Sequence, residues 1–339
     1  MKTPGRRCLV IFPGALGDFL CFLPALECLS QNKEVDLLAH SEFGDLVPST
    51  VKVGSLERYE IRRLFVSGAG REKRLRDFFD SYSSIFSWSG AGQSTFVQEL
   101  RRVSQGRARV FPFQPEVQSQ QHQSEYYLAC IAEQSCNGGK VQIPLKPEAV
   151  AWSERYWQQH SLVGKPVLLV APGSGSREKN WPEAFFLAVA GWWRRQTRGS
   201  VIIVLGPAEE ERGDCTALCE GAVVARNLNL AELAALLERS DLYLGNDSGV
   251  SHLAGALGVT TAVLFGPSNV VRWAPLGKNV TILTQSAECS PCAVAAMRDC
   301  PHRKCLTALN PAYVISKLAG WSPHLDKGGG RDYSKFLNS

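Results

Sequence analysis

Short apolar runs that end in glycine-bearing turns and lead into amphipathic helices recur along this chain, and that alternation limits its fold more than any single motif. Residues 8–12, 35–38 and 84–86 read as strands, and 18–30, 73–80, 97–104 and 125–133 as helices. Such alternation is the rhythm of a parallel sheet wrapped by helices. It restarts after Pro144-Leu-Lys-Pro147, with a helix at 150–160, strand 167–170, helix 182–195, strand 201–205, helices 210–220 and 230–239, and strands 242–244 and 261–265. A chain of 339 residues exceeds what one core usually supports. Two Rossmann-like, doubly wound α/β domains are therefore expected, at 1–147 and 148–324, with 325–339 and its Gly328-Gly-Gly330 as a flexible tail. Domains of this kind are expected to face a central cleft and to take ligand at the carboxyl ends of their strands.

Composition removes several function classes. Hydrophobic content of 45% with 20% charged residues describes a folded chain rather than a disordered one. The net charge of +5 comes from widely spread Lys and Arg with no RNA- or DNA-binding module, so no nucleic-acid partner is expected; anionic substrates or a membrane surface suit it better. The apolar run 8–12 is too short for a signal-peptide core and meets Pro13 at once. No run approaches the roughly 20 apolar residues needed to span a bilayer, so any membrane contact is expected to be peripheral. Eleven cysteines without an export signal point to a reducing, cytoplasmic setting in which most serve as small buried hydrophobes.

Three turns after strands carry chemistry in the second half. Gly245-Asn-Asp-Ser-Gly-Val-Ser-His252 sets Asp247, Ser248, Gly249 and His252 where a strand becomes a helix, and unpaired amides with the positive end of a helix dipole favour an anion there. Asp247 or Ser248 also suits a plain helix cap. Ala171-Pro-Gly-Ser-Gly-Ser-Arg-Glu-Lys-Asn-Trp-Pro182 offers Ser174, Ser176 and Lys179 to a phosphate. Leu205-Gly-Pro-Ala-Glu-Glu210 places Glu209 to accept hydrogen bonds from a ribose diol. In the first half, Pro13-Gly-Ala-Leu-Gly-Asp18 ends the first strand and projects Asp18 from a helix start. Neither Gly-x-Gly-x-x-Gly nor a Walker lysine is present in these turns, so a dinucleotide fingerprint and a P-loop are both unsupported.

These blocks resemble glycosyltransferase family nine, the ADP-heptose:lipopolysaccharide heptosyltransferases. The likeness rests on Gly14-Ala-Leu-Gly-Asp18 with Leu23-Pro-Ala-Leu26, Pro172-Gly-Ser through Lys179-Asn-Trp-Pro182, Gly245 to Leu253, and Leu264-Phe-Gly-Pro-Ser268 with Arg272-Trp-Ala-Pro-Leu-Gly277. It spans about residues 7 to 320, and it implies a GT-B fold with acceptor on the first domain and nucleotide-sugar on the second. It further implies an inverting transfer that needs no cofactor or metal, moving heptose from ADP-heptose to an inner-core lipopolysaccharide acceptor. Asp18 matches the family's general base. Lys179, Ser174, Ser176 and the amides from Ser248 to Ser251 would stabilise the leaving diphosphate. Glu209 would hold the ribose, Leu228 would lie beside the base, and Asp247, Ser248, Gly249 and His252 would contact sugar or diphosphate.

Arg62, Arg63, Arg71 and Arg74 are candidates to meet an anionic glycolipid acceptor, although a solvated basic face is the better reading for most residues of this run. Cys289, Cys292, Cys300 and Cys305 could hold a structural zinc, but they lack the two paired Cys-x-x-Cys knuckles usual for one. Expected partners are thus a nucleotide-sugar, an anionic glycolipid and the inner surface of the cytoplasmic membrane. The competing readings are a same-family transferase with another donor, a GT-B sugar-nucleotide epimerase, and a non-catalytic nucleotide-sugar-binding protein.

Overall fold

The computed structural model describes residues 7–116, 120–132, 141–212, 215–285 and 287–320; the expected tail at 325–339 lies outside them. The first sheet contains β1 (Arg7–Ile11), β2 (Glu34–Ala39), β3 (Val51–Ser55), β4 (Ser84–Ser87) and β5 (Ala108–Val110), in the order β3-β2-β1-β4-β5. The second contains β6 (Val167–Ala171), β7 (Ser200–Leu205), β8 (Val223–Arg226), β9 (Leu242–Asn246), β10 (Thr261–Phe265) and β11 (Val280–Thr284), in the order β11-β10-β9-β6-β7-β8. Every strand pair in both sheets is parallel. Contacts divide the chain into two compact units, Met1–Leu145 with Val271–Trp273, and Lys146–Val270 with Ala274–Ser339.

The winding order explains where a ligand can enter. In each sheet the chain runs outward from its first strand, then returns to the other side of that strand, so β1 pairs with β4 and β6 with β9. Connections leaving these neighbours part toward opposite faces of the sheet and open a crevice at the strands' carboxyl ends. The turns singled out above after β1, β6 and β9 all leave from such a point.

Burial follows from two covered faces. All five residues of β6, β9 and β10 are buried, as parallel strands between helical layers require. In the second unit Leu168, Val170, Leu244 and Leu264 pack with Trp181, Phe186 and Trp193. In the first, Leu9, Ile11 and Ile85 pack with Phe79, Phe96 and Leu100, and an aromatic cluster of Phe12, Phe22, Trp88 and Tyr127 lies beside them. No helix among the described residues is long and apolar enough to cross a membrane.

The four strands absent from the sequence reading, β3, β5, β8 and β11, are the edge strands of the two sheets. Their burial is mixed, so no continuous apolar run announces them. The single helix expected at 210–220 is instead two, Pro207–Arg212 and Thr216–Cys219, with Cys215 left-handed at φ 69° at the start of the second. The helix expected from 150 begins at Pro147, whose fixed φ suits a first helical position.

The helix Gly249–Leu257 shows how closely backbone approaches backbone near β9. A Cβ on Gly255 would lie 2.8 Å from the Leu276 carbonyl oxygen. Gly258 ends the helix at φ 78° with open space where a Cβ would point. Gly258→Ala therefore adds backbone strain without a clash, and urea unfolding is expected to show a loss of roughly 1–2 kcal/mol.

Candidate active site

In the second unit one buried amide fixes the geometry. Asn246, the last residue of β9, is fully buried; its Oδ1 accepts the Trp181 backbone N–H at 2.9 Å and its Nδ2 donates to the Pro172 carbonyl at 2.6 Å. The loop after β6 is thereby tied at both ends to the turn after β9. Trp181 is seated in turn by its indole N–H, which donates to the Leu309 carbonyl at 2.8 Å, and by edge-on contact with Phe185 and Phe186.

A hydroxyl relay holds the following helix start. The Ser251 hydroxyl donates to the Asn246 carbonyl at 2.5 Å, so its oxygen accepts from the Tyr243 hydroxyl at 2.9 Å. Burial pushes the Tyr243 phenol up to about 12, which keeps it a donor. Gly245 makes the relay possible, because a Cβ there would fall 2.1 Å from the Tyr243 oxygen. Ser248 caps the helix by accepting from the Ser251 N–H at 3.4 Å. Capping and anion binding are compatible here: one donor is engaged, and the first-turn amides keep the positive end of the dipole.

Lys179 and Asp247 come together directly, Nζ to Oδ2, at 2.8 Å, with side-chain exposures of 28% and 7%. A mostly buried carboxylate thus fixes a partly open ammonium beside the helix start. Glu209 is also buried; it accepts the Gly206 N–H at 3.0 Å and lies over Gly173, where a Cβ would come within 2.1 Å of its Oε1. The β7 and β6 turns are therefore in contact, and glycine at 173 is a steric requirement. Ser174 Oγ lies 2.6 Å from the Ser176 carbonyl and 2.7 Å from Asn180 Oδ1, while the Ser176 hydroxyl donates to Glu178. Both serines thus shape their own loop here instead of presenting free hydroxyls. His252 is buried in the first turn of its helix, and Leu228 is half-buried just after β8.

In the first unit Asp18 sits in the first turn of the helix Leu16–Ser30. Gly14 lets the preceding turn fold against it, since a Cβ there would be 2.7 Å from that of Asp18. Tyr127 is fully buried, and its phenol is raised chiefly by burial and then by the negative charge of Asp18. Arg272, which groups with this unit, is lowered by burial, opposed by the negative charge of Asp18, and its Nη2 donates to Gln114 Oε1 at 3.2 Å. The expected acceptor arginines are held differently from one another. Arg63 pairs with Glu72 at 2.5 Å and Arg74 with Glu60 at 3.0 Å, whereas Arg71 is exposed and Arg62 is exposed at 3.9 Å from Glu57.

No disulfide joins the described cysteines. Cys289, Cys292, Cys300 and Cys305 are near enough for their charges to act on one another: burial raises Cys292 and Cys305 first, and the neighbouring thiols add to it. Cys300 is lowered instead, by the backbone N–H groups of His302 and Arg303, the latter at 3.4 Å from its sulfur. Among the described residues no group of three or more His, Cys, Asp or Glu side chains is arranged to hold a metal.

Sequence reasoning assigned no role to Asn246, Tyr243, Gly173 or Tyr127. Only Asn246 carried a signal, as a primary amide closing an apolar run where nothing but a buried, bonded side chain fits.

The model of glycosyltransferase family 9 (heptosyltransferase) matches residues 99–301. The chain belongs to that family. This glycosyltransferase is 32% identical to lipopolysaccharide heptosyltransferase 1 of Pseudomonas aeruginosa over 46% of its own length and 48% of that protein's, so it spans about half of that relative. It is 23% identical to a lipooligosaccharide heptosyltransferase 2 of Campylobacter jejuni over 92% and 97% of the two chains. A family 9 glycosyl transferase from Veillonella parvula shares its fold at TM-score 0.74 and 18% identity, covering 94% of this chain and 98% of that one. The E. coli ADP-heptose lps heptosyltransferase II does so at TM-score 0.67 and 17% identity, covering 93% and 98%. Both likenesses are to GT-B structures of two parallel-sheet domains.

Two measurements probe the geometry. Lys179→Ala leaves Asp247 buried without its cation and is expected to destabilise this glycosyltransferase by about 1–3 kcal/mol in urea. Adding Asp247→Asn should recover about half or more of that loss, because no charge is then stranded. At neutral pH Cys300 should be alkylated by iodoacetamide well ahead of Cys292, since only the thiolate attacks; peptide mass spectrometry of a partial reaction reads the order.

Proposed function

We propose that this glycosyltransferase moves a heptose from ADP-heptose to a lipopolysaccharide inner-core acceptor, with inversion and without a catalytic metal, at the inner face of the cytoplasmic membrane. The observation that carries this reading is the Lys179–Asp247 pair held beside the Ser248 helix start by Asn246. A diphosphate leaving group departs with negative charge, and a fixed ammonium together with helix amides supplies positive charge where that charge develops. The E. coli protein of the same fold is an ADP-heptose transferase, which supports the choice of donor.

The remaining residues take their roles in this reading from the family resemblance. Glu209, fixed over Gly173, would accept from the ribose hydroxyls, and Leu228 would pack beside the adenine. His252, Ser248 and Gly249 would face the diphosphate and sugar. On reorienting toward phosphate, Ser174 and Ser176 would exchange their bonds within the loop for bonds to the ligand. Asp18 would take the proton from the acceptor hydroxyl as its oxygen bonds to the anomeric carbon and the carbon–diphosphate bond breaks. Arg272 places a positive charge near Asp18, which suits a carboxylate that must begin ionised.

Asp18→Ala should lower transfer to a soluble, deacylated inner-core acceptor at least about a hundredfold while ADP still raises the melting temperature as in the wild type. Lys179→Ala should weaken the ADP shift and slow transfer together. Wild-type turnover in Asp18→Ala would sink the base assignment, and an undiminished ADP shift in Lys179→Ala would sink the phosphate assignment. Transfer is expected to survive EDTA.

A further inference from the structure

Seven large hydrophobic side chains stand exposed among the described residues, and three of them fall within eight positions of the first unit: Tyr59 at 46%, Phe65 at 47% and Val66 at 55%. Tyr59 and Val66 line one shallow hollow of about 400 Å³ together with Glu57, Arg62 and Arg63. Stretch 57–76 contains seven basic side chains against three carboxylates, a net +4 in a chain whose whole balance is +5.

Two of these three carboxylates, Glu60 and Glu72, together with Glu99, are turned to internal use, while Glu57 stays 82% exposed near Arg62. Glu60 is buried, pairing with Arg74 at 3.0 Å and Arg58 at 3.3 Å. Glu99, also buried, accepts the N–H groups of Gly68 at 3.1 Å and Gly70 at 2.6 Å and so pins the loop that carries Phe65 and Val66. Glu72 accepts from Arg63 at 2.5 Å and from the Tyr59 hydroxyl at 2.8 Å. Arg74 lies over the Tyr59 ring, 4.7 Å from its centroid, and Phe65 is braced at 4.8 Å against Phe96. What remains outward is a rigid apolar tip rimmed by positive charge, with Arg62 73% exposed and Arg71, Lys73 and Arg76 exposed as well.

We infer that this tip is a docking surface for an anionic lipid bilayer, with Phe65 and Val66 entering the headgroup boundary and the arginines meeting lipid phosphates. Apolar side chains of this size held in water and ringed by cations fit an interface that is greasy below and negative above. A soluble anionic ligand would use the arginines but leave Phe65 and Val66 without a partner, and that difference selects the bilayer. The inference rests on the proposed action on a lipid-borne acceptor and gives that action an attachment point.

The full chain is to be sedimented with vesicles of phosphatidylcholine alone and of phosphatidylcholine with phosphatidylglycerol at about three to one. Binding is expected only to the anionic vesicles and should fall as salt is raised. Phe65→Ser with Val66→Ser, and Arg62→Glu separately, should each lower vesicle binding on the order of tenfold. Val66→Ser alone, at the most exposed of the three positions, should lower it in the same direction should the double variant melt early. Transfer to the deacylated acceptor should be unchanged in the serine variants. Wild-type vesicle binding by the serine variants, equal binding to uncharged vesicles, or displacement from vesicles by excess deacylated acceptor would each overturn the inference. Vesicle binding through this tip by a wild-type chain that transfers no heptose would overturn the proposed function and leave the docking surface standing.

Discussion

The buried amide of Asn246 is the constraint on which the second unit's chemistry depends. With one oxygen and one nitrogen it satisfies a backbone donor and a backbone acceptor of a loop more than sixty residues earlier in the chain. A hydrogen bond of this kind contributes only about 1 kcal/mol net, but its loss would leave two buried backbone groups unpaired, which costs more than the bond itself supplied. Stability and positioning are therefore the same property here: the loop bearing Lys179 cannot drift without exposing unsatisfied backbone.

Around that amide the residues divide by what surrounds them. Asp247 and Glu209 are buried carboxylates, each with a partner, and neither is free to wander. Gly173 and Gly245 act by what they lack, leaving room for Glu209 and for the Tyr243 hydroxyl. The helix Gly249–Leu257 then presents its amides from a start fixed through Ser251 and Tyr243. Each contribution is small, and they are cooperative because they share atoms.

Much of this was legible in the sequence, for a physical reason. Inner strands such as β6, β9 and β10 are covered on both faces, so their residues must be apolar and the runs announce themselves. Edge strands β3, β5, β8 and β11 carry no such requirement and leave no comparable mark. Asp247 and Ser248 were legible because a charged or hydroxylated residue that closes an apolar run either caps a helix or meets a ligand, and Lys179 because it is a cation in a glycine- and serine-rich loop that follows a strand. The partner of Lys179 was not, since pairing across 68 positions depends on which strands become neighbours. Neither was the internal use of Arg63 and Arg74: local charge counts do not say which carboxylate folds back onto which guanidinium.

The shared strand order of the two sheets has a consequence for how such a chain can change over time. Each sheet closes its own ladder of hydrogen bonds and covers its own faces, so the register of one places no demand on the other. Substitutions that reshape the first unit need not be matched by compensating ones in the second. The family match at 99–301 lies mostly on the second unit. A chain built this way is modular: the loops around one sheet can be remade while the other sheet keeps its register.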